Sequence, residues 1–255
     1  MKTVFIQGLG GLGQGFAECL LQADQYEHII LAVRDQTKVP EHLQQHQKIS
    51  AVAWDLNQPA VIDQALAQIK NKGLDLQLIL NCQGVLKQEQ PKSALIQPQA
   101  LSNVGPERRI ENLTAGNMLY NFEVNTVVPM LTIQALWPLL RKESFAWVVN
   151  ISAKVGSIGD NGLGGWYSYR SSKAALNMLT KTLSVELQQR HVNAGVLAIH
   201  PGTVRTSLSD PFIHKKSDQR LSPQESATAI LNVIQSKTID DSGSFWSWDG
   251  TALPW

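Results

Sequence analysis

The chain has 255 residues, of which 43% are hydrophobic, and its formal net charge at pH 7 is +1. A net charge near zero gives no indication of a broad electrostatic partner, so we expect neither nucleic acid nor an anionic membrane as a partner. Its length and apolar content suffice for one sizeable core, and we predict a single domain over residues 1–255.

Cysteine use and the absence of long apolar runs indicate the cellular compartment. Cys19 and Cys82 lie far apart in apolar surroundings, which predicts buried free thiols rather than a disulfide and fits a reducing cytoplasm. The longest apolar runs have five residues, as at 29–33, which is far shorter than the roughly 20 residues that span a bilayer. Glycine interrupts the N-terminal MKTVFIQG too early for a signal peptide. We expect a soluble, cytoplasmic protein.

Short apolar runs alternate with amphipathic stretches along the chain. Several runs are apolar throughout, which is typical of parallel strands covered on both faces. The alternation predicts an α/β fold of the Rossmann type, a doubly wound parallel sheet of about seven strands with helices on both faces. Ligands of such sheets bind beyond the carboxyl ends of the strands. The predicted strands are 3–7, 28–33, 49–54, 76–81, 146–152, 193–199 and 244–248, and the predicted helices are 12–23, 59–71, 115–142, 171–190 and 223–236.

Two irregular segments interrupt this alternation. Residues 86–112 form a long stretch with three prolines and little periodicity, which is either a functional or mobile loop or a passive insertion. Residues 207–219 follow the sixth predicted strand and are interpreted as a mobile lid over a substrate.

The first predicted strand leads into a glycine-rich turn and then a helix. Gly8, Gly10 and Gly13 have G-x-G-x-x-G spacing. The first glycine permits a tight turn, the second lets the backbone approach a pyrophosphate, and the third lets the helix pack against the strand. The alternative is a tight structural turn with no ligand. With its strand–helix context, the motif predicts a dinucleotide site.

The end of the second strand indicates which dinucleotide. Val33 stands where an acidic residue would hold a ribose 2′-hydroxyl, and Arg34 follows it. An arginine there can bind a 2′-phosphate through charge-assisted hydrogen bonds, which favours NADP(H) over NAD(H). The alternatives are a surface arginine, neutralised by Asp35, and NAD(H) preference.

Tyr169 and Lys173 are four residues apart on a predicted helix, so they share one face. A phenol with an ordinary pKa near 10 exchanges protons poorly at neutral pH. A neighbouring ammonium is expected to lower that pKa, so that the phenol can exchange a proton with a carbonyl or an alcohol.

Taken in order, these motifs resemble the short-chain dehydrogenase/reductase family over essentially the whole chain. The match includes Asp55-Leu56 after the third strand, NCQG at 81–84 after the fourth, Asn125 in VNTVVP, and HPGTVRT at 200–206 after the sixth. The resemblance implies an NADP(H)-dependent oxidoreductase that reduces carbonyls or oxidises alcohols, using Tyr169, Lys173, Asn125 and a serine as catalytic residues. The candidate cofactor-binding residues are Gly8, Gly10, Gly11, Leu12, Gly13, Arg34, Asp55, Leu56, Asn81, Cys82, Gln83, Gly84, Tyr169, Lys173, Pro201, Gly202, Val204 and Thr206.

Within the family, the chain most resembles the C-factor (C-signal)-like group, which is related to small carbonyl reductases. This resemblance rests on the segments 107–140 and 152–183 and on the terminal WDGTALPW. It implies a small carbonyl or alcohol substrate and a homodimer or homotetramer formed through the helices at 115–142 and 167–190. It also leaves a second hypothesis open, a dinucleotide-binding regulatory or signalling protein with weak or vestigial activity.

Two departures from the family pattern bear on activity. Gln7 replaces the usual threonine, and the glycine turn is one residue shorter than usual and lacks a basic residue. Ala153 occupies the position of the serine that polarises the substrate carbonyl. Ser152 is our candidate for the catalytic serine, although a regular strand would direct it to the opposite face from residue 153, and Ser157 is the other nearby hydroxyl.

The remaining unusual residues have ordinary interpretations. His42 and His46 are four apart, but the segment offers no third ligand, so we predict polar surface and no metal site. Trp246, Trp248 and Trp255 are interpreted as covering a core or a subunit interface. Trp166 and Tyr167 are interpreted either as substrate-pocket residues or as packing residues.

Overall fold

The structure is a computed structural model that describes residues 1–86, 106–140, 144–209 and 220–255. Seven parallel strands form one sheet in the order β3-β2-β1-β4-β5-β6-β7. This confirms the predicted fold class. The strands are β1 (Lys2–Gln7), β2 (His28–Val33), β3 (Ile49–Ala53), β4 (Asp75–Asn81), β5 (Ala146–Ile151), β6 (Ala194–His200) and β7 (Ser244–Ser247).

The sheet is covered by helices on both faces, and each face has its own apolar core. Helices α1 and α7 pack on one face, and α3, α5 and α6 pack on the other. The central strands β1, β2, β5 and β6 are buried on both sides, which explains why their sequences are largely apolar instead of alternating, whereas the edge strands β3 and β7 keep partly exposed positions. The helices are α1 (Gly11–Gln22), α2 (Glu41–Gln44), α3 (Pro59–Asn71), α4 (Ala115–Phe122), α5 (Val128–Leu136), α6 (Tyr167–Gln189) and α7 (Pro223–Gln235).

Strand order reverses at the centre of the sheet. The chain runs outward from β1 through β2 to β3, and then returns to place β4 on the other side of β1. Gln7, at the end of β1, is in register with both Ala32 and Asn81, and Asn81 is in register with Asn150. The carboxyl ends of four strands therefore lie level with one another around the switch point, where a doubly wound sheet binds its ligand.

The helix predicted over 115–142 is not continuous. Helix α4 passes into a π-helical turn (Glu123–Val127), then into α5 and a 3₁₀ turn (Trp137–Leu139). Pro129 has no N–H to pair with the carbonyl of Asn125 four residues earlier, so regular α-helix is interrupted at that point. Single π turns inside helices are frequent at functional sites, and this one contains Asn125.

The two cysteines are less buried than predicted. Cys19 and Cys82 are free, but both residues are half-buried rather than fully buried.

Two further points concern the helices and the irregular segments. None of the helices in the described part of the chain has the length and apolar character that a bilayer-spanning helix needs. Most of the irregular segment 86–112 and of the predicted lid 207–219 lies outside the described residues.

Candidate active site

The glycine turn joins β1 to α1 with very little free space. Gly8 has a φ of +86°, a left-handed conformation that favours glycine. A Cβ on Gly13 would lie 2.1 Å from the carbonyl oxygen of Gly8, so only glycine allows α1 to pack this closely against the turn. A Cβ on Gly10, by contrast, would meet no atom within 4 Å.

The start of α1 has the features of an anion site. Its N-cap residue Gly10 makes no side-chain cap, and the first turn carries no acidic residue. Uncapped N–H groups at a helix N-terminus, beside open space at a glycine, suit the pyrophosphate of a dinucleotide. The residues present therefore fit a phosphate-bearing cofactor, as the G-x-G-x-x-G spacing predicts.

Gly13→Ala is expected to lower the free energy of unfolding by about 1–3 kcal/mol, because the new methyl group overpacks the turn. The thermal midpoint Tm would fall by about 2–4 °C for each kcal/mol. Gly10→Ala is the matched control, since its methyl group enters open space. Equal Tm values for the two variants would contradict the packing role of Gly13.

The ends of β2 and β3 present polar groups at the same edge of the sheet. Arg34 is exposed, and the neighbouring Asp35 accepts hydrogen bonds from the backbone N–H and the hydroxyl of Thr37. Asp55 is half-buried, and its carboxylate accepts hydrogen bonds from the backbone of Asn57 (3.1 Å) and the side chain of Gln58 (2.7 Å). Its contacts within the described chain therefore stabilise the turn after β3.

Leu56 differs from its neighbour Asp55 because its side chain packs against the apolar core. It is half-buried and lies against the core layer that contains α3. Both residues remain candidate cofactor-binding residues.

NCQG, at the end of β4, connects the glycine turn to the predicted catalytic residues. Asn81 is buried, and its side chain donates to Asn150 on β5 at 2.7 Å. Gln83 lies over the turn, where its backbone N would be 3.0 Å from a Cβ on Gly8. A Cβ on Gly84 would lie 3.6 Å from Asn125 Oδ1 and 3.7 Å from Lys173 Nζ, so three sequence-distant motifs meet here.

Cys82 lies beside the same lysine. Burial of its thiol raises its pKa, and the charge of Lys173 opposes that rise only in part. The thiol is therefore neutral at physiological pH and packs beside Gly13, where a Cβ would lie 3.7 Å from Cys82 Cβ.

Lys173 and Asn125 are held by backbone groups of the strand ends. Lys173 is 2% exposed, and its ammonium donates to the carbonyl of Ile151 at 2.8 Å. Burial lowers the pKa of Lys173 to about 8. Asn125 accepts from the backbone N–H of Val85 (2.8 Å) and donates to the carbonyl of the same residue (2.9 Å). Its side chain thereby fixes the loop that follows β4.

Tyr169 lies in a small apolar cluster of its own. Its ring packs with Leu86 and Ala153 and meets Trp166 edge-on, with ring centroids 6.2 Å apart. Lys173 Nζ lies 5.9 Å from the centre of the Tyr169 ring. Burial raises the pKa of Tyr169, whereas the sequence-based expectation was a pKa lowered by the ammonium. The difference arises because desolvation of the phenolate dominates here, while Lys173 donates its hydrogen bond to Ile151.

The structure argues against Ser152 as the catalytic serine. Its hydroxyl is buried and donates to Asn177 Oδ1 at 2.6 Å, two turns of α6 beyond Tyr169. Ser157 is also buried, and its hydroxyl contacts the carbonyl of Trp255 and the backbone N–H of Asp160. The side chain that packs beside Tyr169 is the methyl group of Ala153, as expected for alternating directions along a strand.

The segment 201–206, which follows β6, packs against the start of α1, whereas Gln83 packs against Gly8 in the glycine turn. A Cβ on Gly11 would lie 2.8 Å from Thr206 Cγ2, so the two motifs are in contact. Gly202 has a φ of +77° and lies against Trp248. Val204 is buried, and Pro201 accepts a hydrogen bond through its carbonyl from Ser226 on α7 at 2.7 Å.

Sequence reasoning missed several polar residues that support this site. Glu107, Asn117 and Asn121 are all buried and hydrogen-bonded near Tyr169 and Asn125. A signal was present in the sequence: asparagines at 117, 121 and 125 repeat at helical spacing on one face. Trp166, interpreted earlier as a pocket or packing residue, lies in the left-handed conformation just before α6.

Comparisons with known proteins identify the family. The family model described as short chain dehydrogenase matches residues 2–217. A 1-hydroxy-2-glutathionyl-2-methyl-3-butene dehydrogenase of Rhodococcus is 32% identical over 79% of this chain and 78% of its own length. C-signal of Myxococcus xanthus is 33% identical over 54% of this chain and 79% of its own length.

A solved structure extends the likeness to the whole fold. An NADPH-bound carbonyl reductase from chicken fatty liver is 30% identical, with 99% of this chain and 98% of that chain covered and a TM-score of 0.80. The predicted resemblance to dehydrogenases, to C-signal and to carbonyl reductases is confirmed. The chain belongs to the short-chain dehydrogenase family.

Proposed function

We propose that the chain is an NADP(H)-dependent carbonyl reductase that also oxidises the corresponding alcohols. The observation that carries the proposal is the convergence of Tyr169, Lys173 and Asn125 at the end of β4, next to a turn that fits a dinucleotide. The NADPH bound by the chicken carbonyl reductase supports the choice of cofactor.

The cofactor would lie along the carboxyl ends of the strands. Its pyrophosphate would bind at Gly8, Gly10 and Gly13, and its nicotinamide would lie between NCQG and the segment 201–206. When bound, the nicotinamide supplies the hydride that adds to the carbonyl carbon. The residues of this chain orient the substrate and deliver the proton.

Tyr169 is the proposed proton donor. As the carbonyl carbon gains hydride, its oxygen takes the phenolic proton, and C=O becomes CH–OH. Lys173 and Asn125 then complete the route by which the resulting phenolate regains a proton. The Tyr169 phenol is protonated at neutral pH even at its ordinary pKa near 10, so it holds the proton that carbonyl reduction requires. Burial raises that pKa further and makes the phenol a weaker acid, so proton transfer depends on the nearby charge of Lys173 stabilising the phenolate as it forms.

The test is NADPH consumption by the wild-type protein with a panel of aldehydes and ketones, followed by identification of the alcohol products. We expect at least one panel member to be reduced with stoichiometric loss of NADPH. Tight NADPH binding with no turnover across the panel would overturn the assignment.

A second candidate function is a dinucleotide-binding regulatory protein with weak or vestigial chemistry. The methyl group of Ala153 beside Tyr169 favours it, because the hydroxyl that usually polarises the carbonyl is missing. It predicts a large thermal shift with NADPH together with the absence of turnover. Reduction of any panel substrate at an ordinary enzymatic rate counts against it.

Arg34 is proposed to select the phosphorylated cofactor. Arg34→Ala is expected to weaken NADPH binding about tenfold, because one charge-assisted contact to an exposed 2′-phosphate is lost. NADH binding should change little, since NADH has no 2′-phosphate. Titration of both cofactors into wild type and variant measures the ratio of the Kd for NADH to the Kd for NADPH. An equal loss of affinity for both cofactors would show that Arg34 does not bind the 2′-phosphate.

A further inference from the structure

Glu107 is a buried carboxylate beside the proposed catalytic helix. It is 1% exposed and accepts hydrogen bonds from the side chains of Asn117 and Ser168, and from the backbone N–H of Ser168 at 3.2 Å. Each of these donors is neutral. A buried charge is expensive unless its hydrogen-bonding capacity is met, so this arrangement calls for an explanation.

One role of Glu107 is to begin helix α6. The residue before the helix, Trp166, has a φ of 53° and provides no side-chain cap. Glu107 replaces that cap from a distant part of the chain, since its carboxylate binds the N–H of Ser168 and its carbonyl accepts the N–H of Trp166. A negative charge at a helix N-terminus also opposes the helix dipole favourably. Tyr169 is the next residue along.

Glu107 also ends a one-way series of amide hydrogen bonds. The side chain of Asn125 donates to Asn121 Oδ1 at 3.3 Å, and that of Asn121 donates to Asn117 Oδ1 at 3.1 Å. Asn117 in turn donates to Glu107. Both side-chain oxygens of Glu107 act as acceptors, so Asn117 presents its NH₂ group to them, and the same direction of donation passes to Asn121 and then to Asn125.

The orientation of Asn125 matters at the site. With its NH₂ group directed towards Asn121, its Oδ1 accepts the backbone N–H of Val85 and faces the gap at Gly84 and Lys173. A reversed amide would place NH₂ against that backbone N–H and leave both donors without an acceptor.

We propose that Glu107 is a positioning residue for carbonyl reduction, which fixes the start of the helix carrying Tyr169 and, together with the backbone of Val85, holds the amide orientation of Asn125. The kinetic part of this inference rests on the proposed function. Glu107 touches neither substrate nor cofactor and acts only through Ser168 and the asparagine series.

Glu107→Gln tests the proposal because it keeps the shape and removes an acceptor. One end of the new amide becomes NH₂, which must face either the N–H of Ser168 or the NH₂ of Asn117. We expect kcat to fall about tenfold while the Kd for NADPH stays unchanged, as for a displaced catalytic group. Glu111→Gln is the matched control, since Glu111 is exposed four residues away.

A second measurement does not depend on turnover. In ¹H–¹⁵N spectra, Glu107→Gln should move the backbone signal of Ser168 or the side-chain amide signals of Asn117, Asn121 and Asn125, whereas Glu111→Gln should not. If the wild-type protein reduces no substrate, the proposed function fails, and the positioning role of Glu107 is then tested by these spectra alone. Unchanged signals at all four residues would overturn it.

The kinetic outcomes are equally distinct. A Glu107→Gln enzyme with the kcat of Glu111→Gln overturns the proposal, as does a parallel loss of kcat, NADPH affinity and Tm. If Glu107→Gln does not fold, Asn121→Ala interrupts the amide series while leaving the cap on Ser168 in place. Wild-type kcat in that variant would overturn the role of the series, and a reduced kcat with unchanged NADPH binding supports it.

Discussion

Tyr169→Phe is expected to lower kcat for carbonyl reduction by about 10³-fold, which is the usual contribution of a positioned proton donor. The phenylalanine ring keeps the apolar contacts with Leu86, Ala153 and Trp166, and it removes only the hydroxyl. The Kd for NADPH and the Tm should therefore remain close to those of wild type. Steady-state kinetics on the best panel substrate, with fluorescence titration of NADPH, measures both quantities.

Tyr167→Phe provides the control for this prediction. Tyr167 lies on the first turn of the same helix but is 38% exposed and is not part of the cluster around Tyr169. Its variant should keep the wild-type kcat. If Tyr169→Phe turned over at a rate within a few fold of Tyr167→Phe, the proton would have to come from another group and the proposed mechanism would fail.

The strands were the most predictable part of the fold. Each predicted strand lies within one residue of the observed one at either end. For the central strands the reason is that a strand buried on both faces is largely apolar and is bounded by polar or glycine residues. Right-handed crossovers predicted helices on both faces of the sheet, whereas the order of the strands is known only from the structure. Burial and chirality thus suffice to predict the fold class, but not the strand order.

The helix that carries Asn125 shows where sequence periodicity fails. Its apolar pattern continues across 115–142, but Pro129 removes one backbone donor and the chain responds with a π turn. Periodicity averages over such single positions. The same limit applies to α6, whose first turn depends on a cap from Glu107 that lies about 60 residues earlier in the chain.

The chemistry of the site was predictable in its residues and less so in its energetics. Tyr169 and Lys173 share a helix face as their spacing predicts, and Gly84 and Asn125 lie beside Lys173 as the family resemblance implies. The direction of the pKa shift of Tyr169 could not be predicted from the sequence, because it depends on how completely the ring is buried in the fold. The alternation of side chains along a strand predicted that Ser152 and Ala153 point to opposite faces of the sheet. In the structure the hydroxyl of Ser152 donates to Asn177.

Ala153→Ser is expected to raise kcat for carbonyl reduction, by about 10-fold to 10²-fold. The methyl group of Ala153 packs with Tyr169 and Leu86, so a hydroxyl added there would lie beside the proposed proton donor. Loss of a single donor to a developing oxyanion typically costs about 10² to 10³ in kcat, and its return should recover part of that factor. Ala153 is 7% exposed, so the added oxygen is also expected to lower the Tm slightly in the absence of substrate.

Ser152→Ala is the matched control for this gain, because it removes a hydroxyl one residue away that is already bound to Asn177. It should lower stability without changing kcat, and a severe loss of kcat would return the catalytic role to Ser152. The Ala153→Ser result also separates the two candidate functions. A large gain in turnover means that the remaining groups are assembled for catalysis and that Ala153 limits the rate. Unchanged turnover with intact NADPH binding would mean that the chain uses its cofactor site for binding, and would favour the regulatory function.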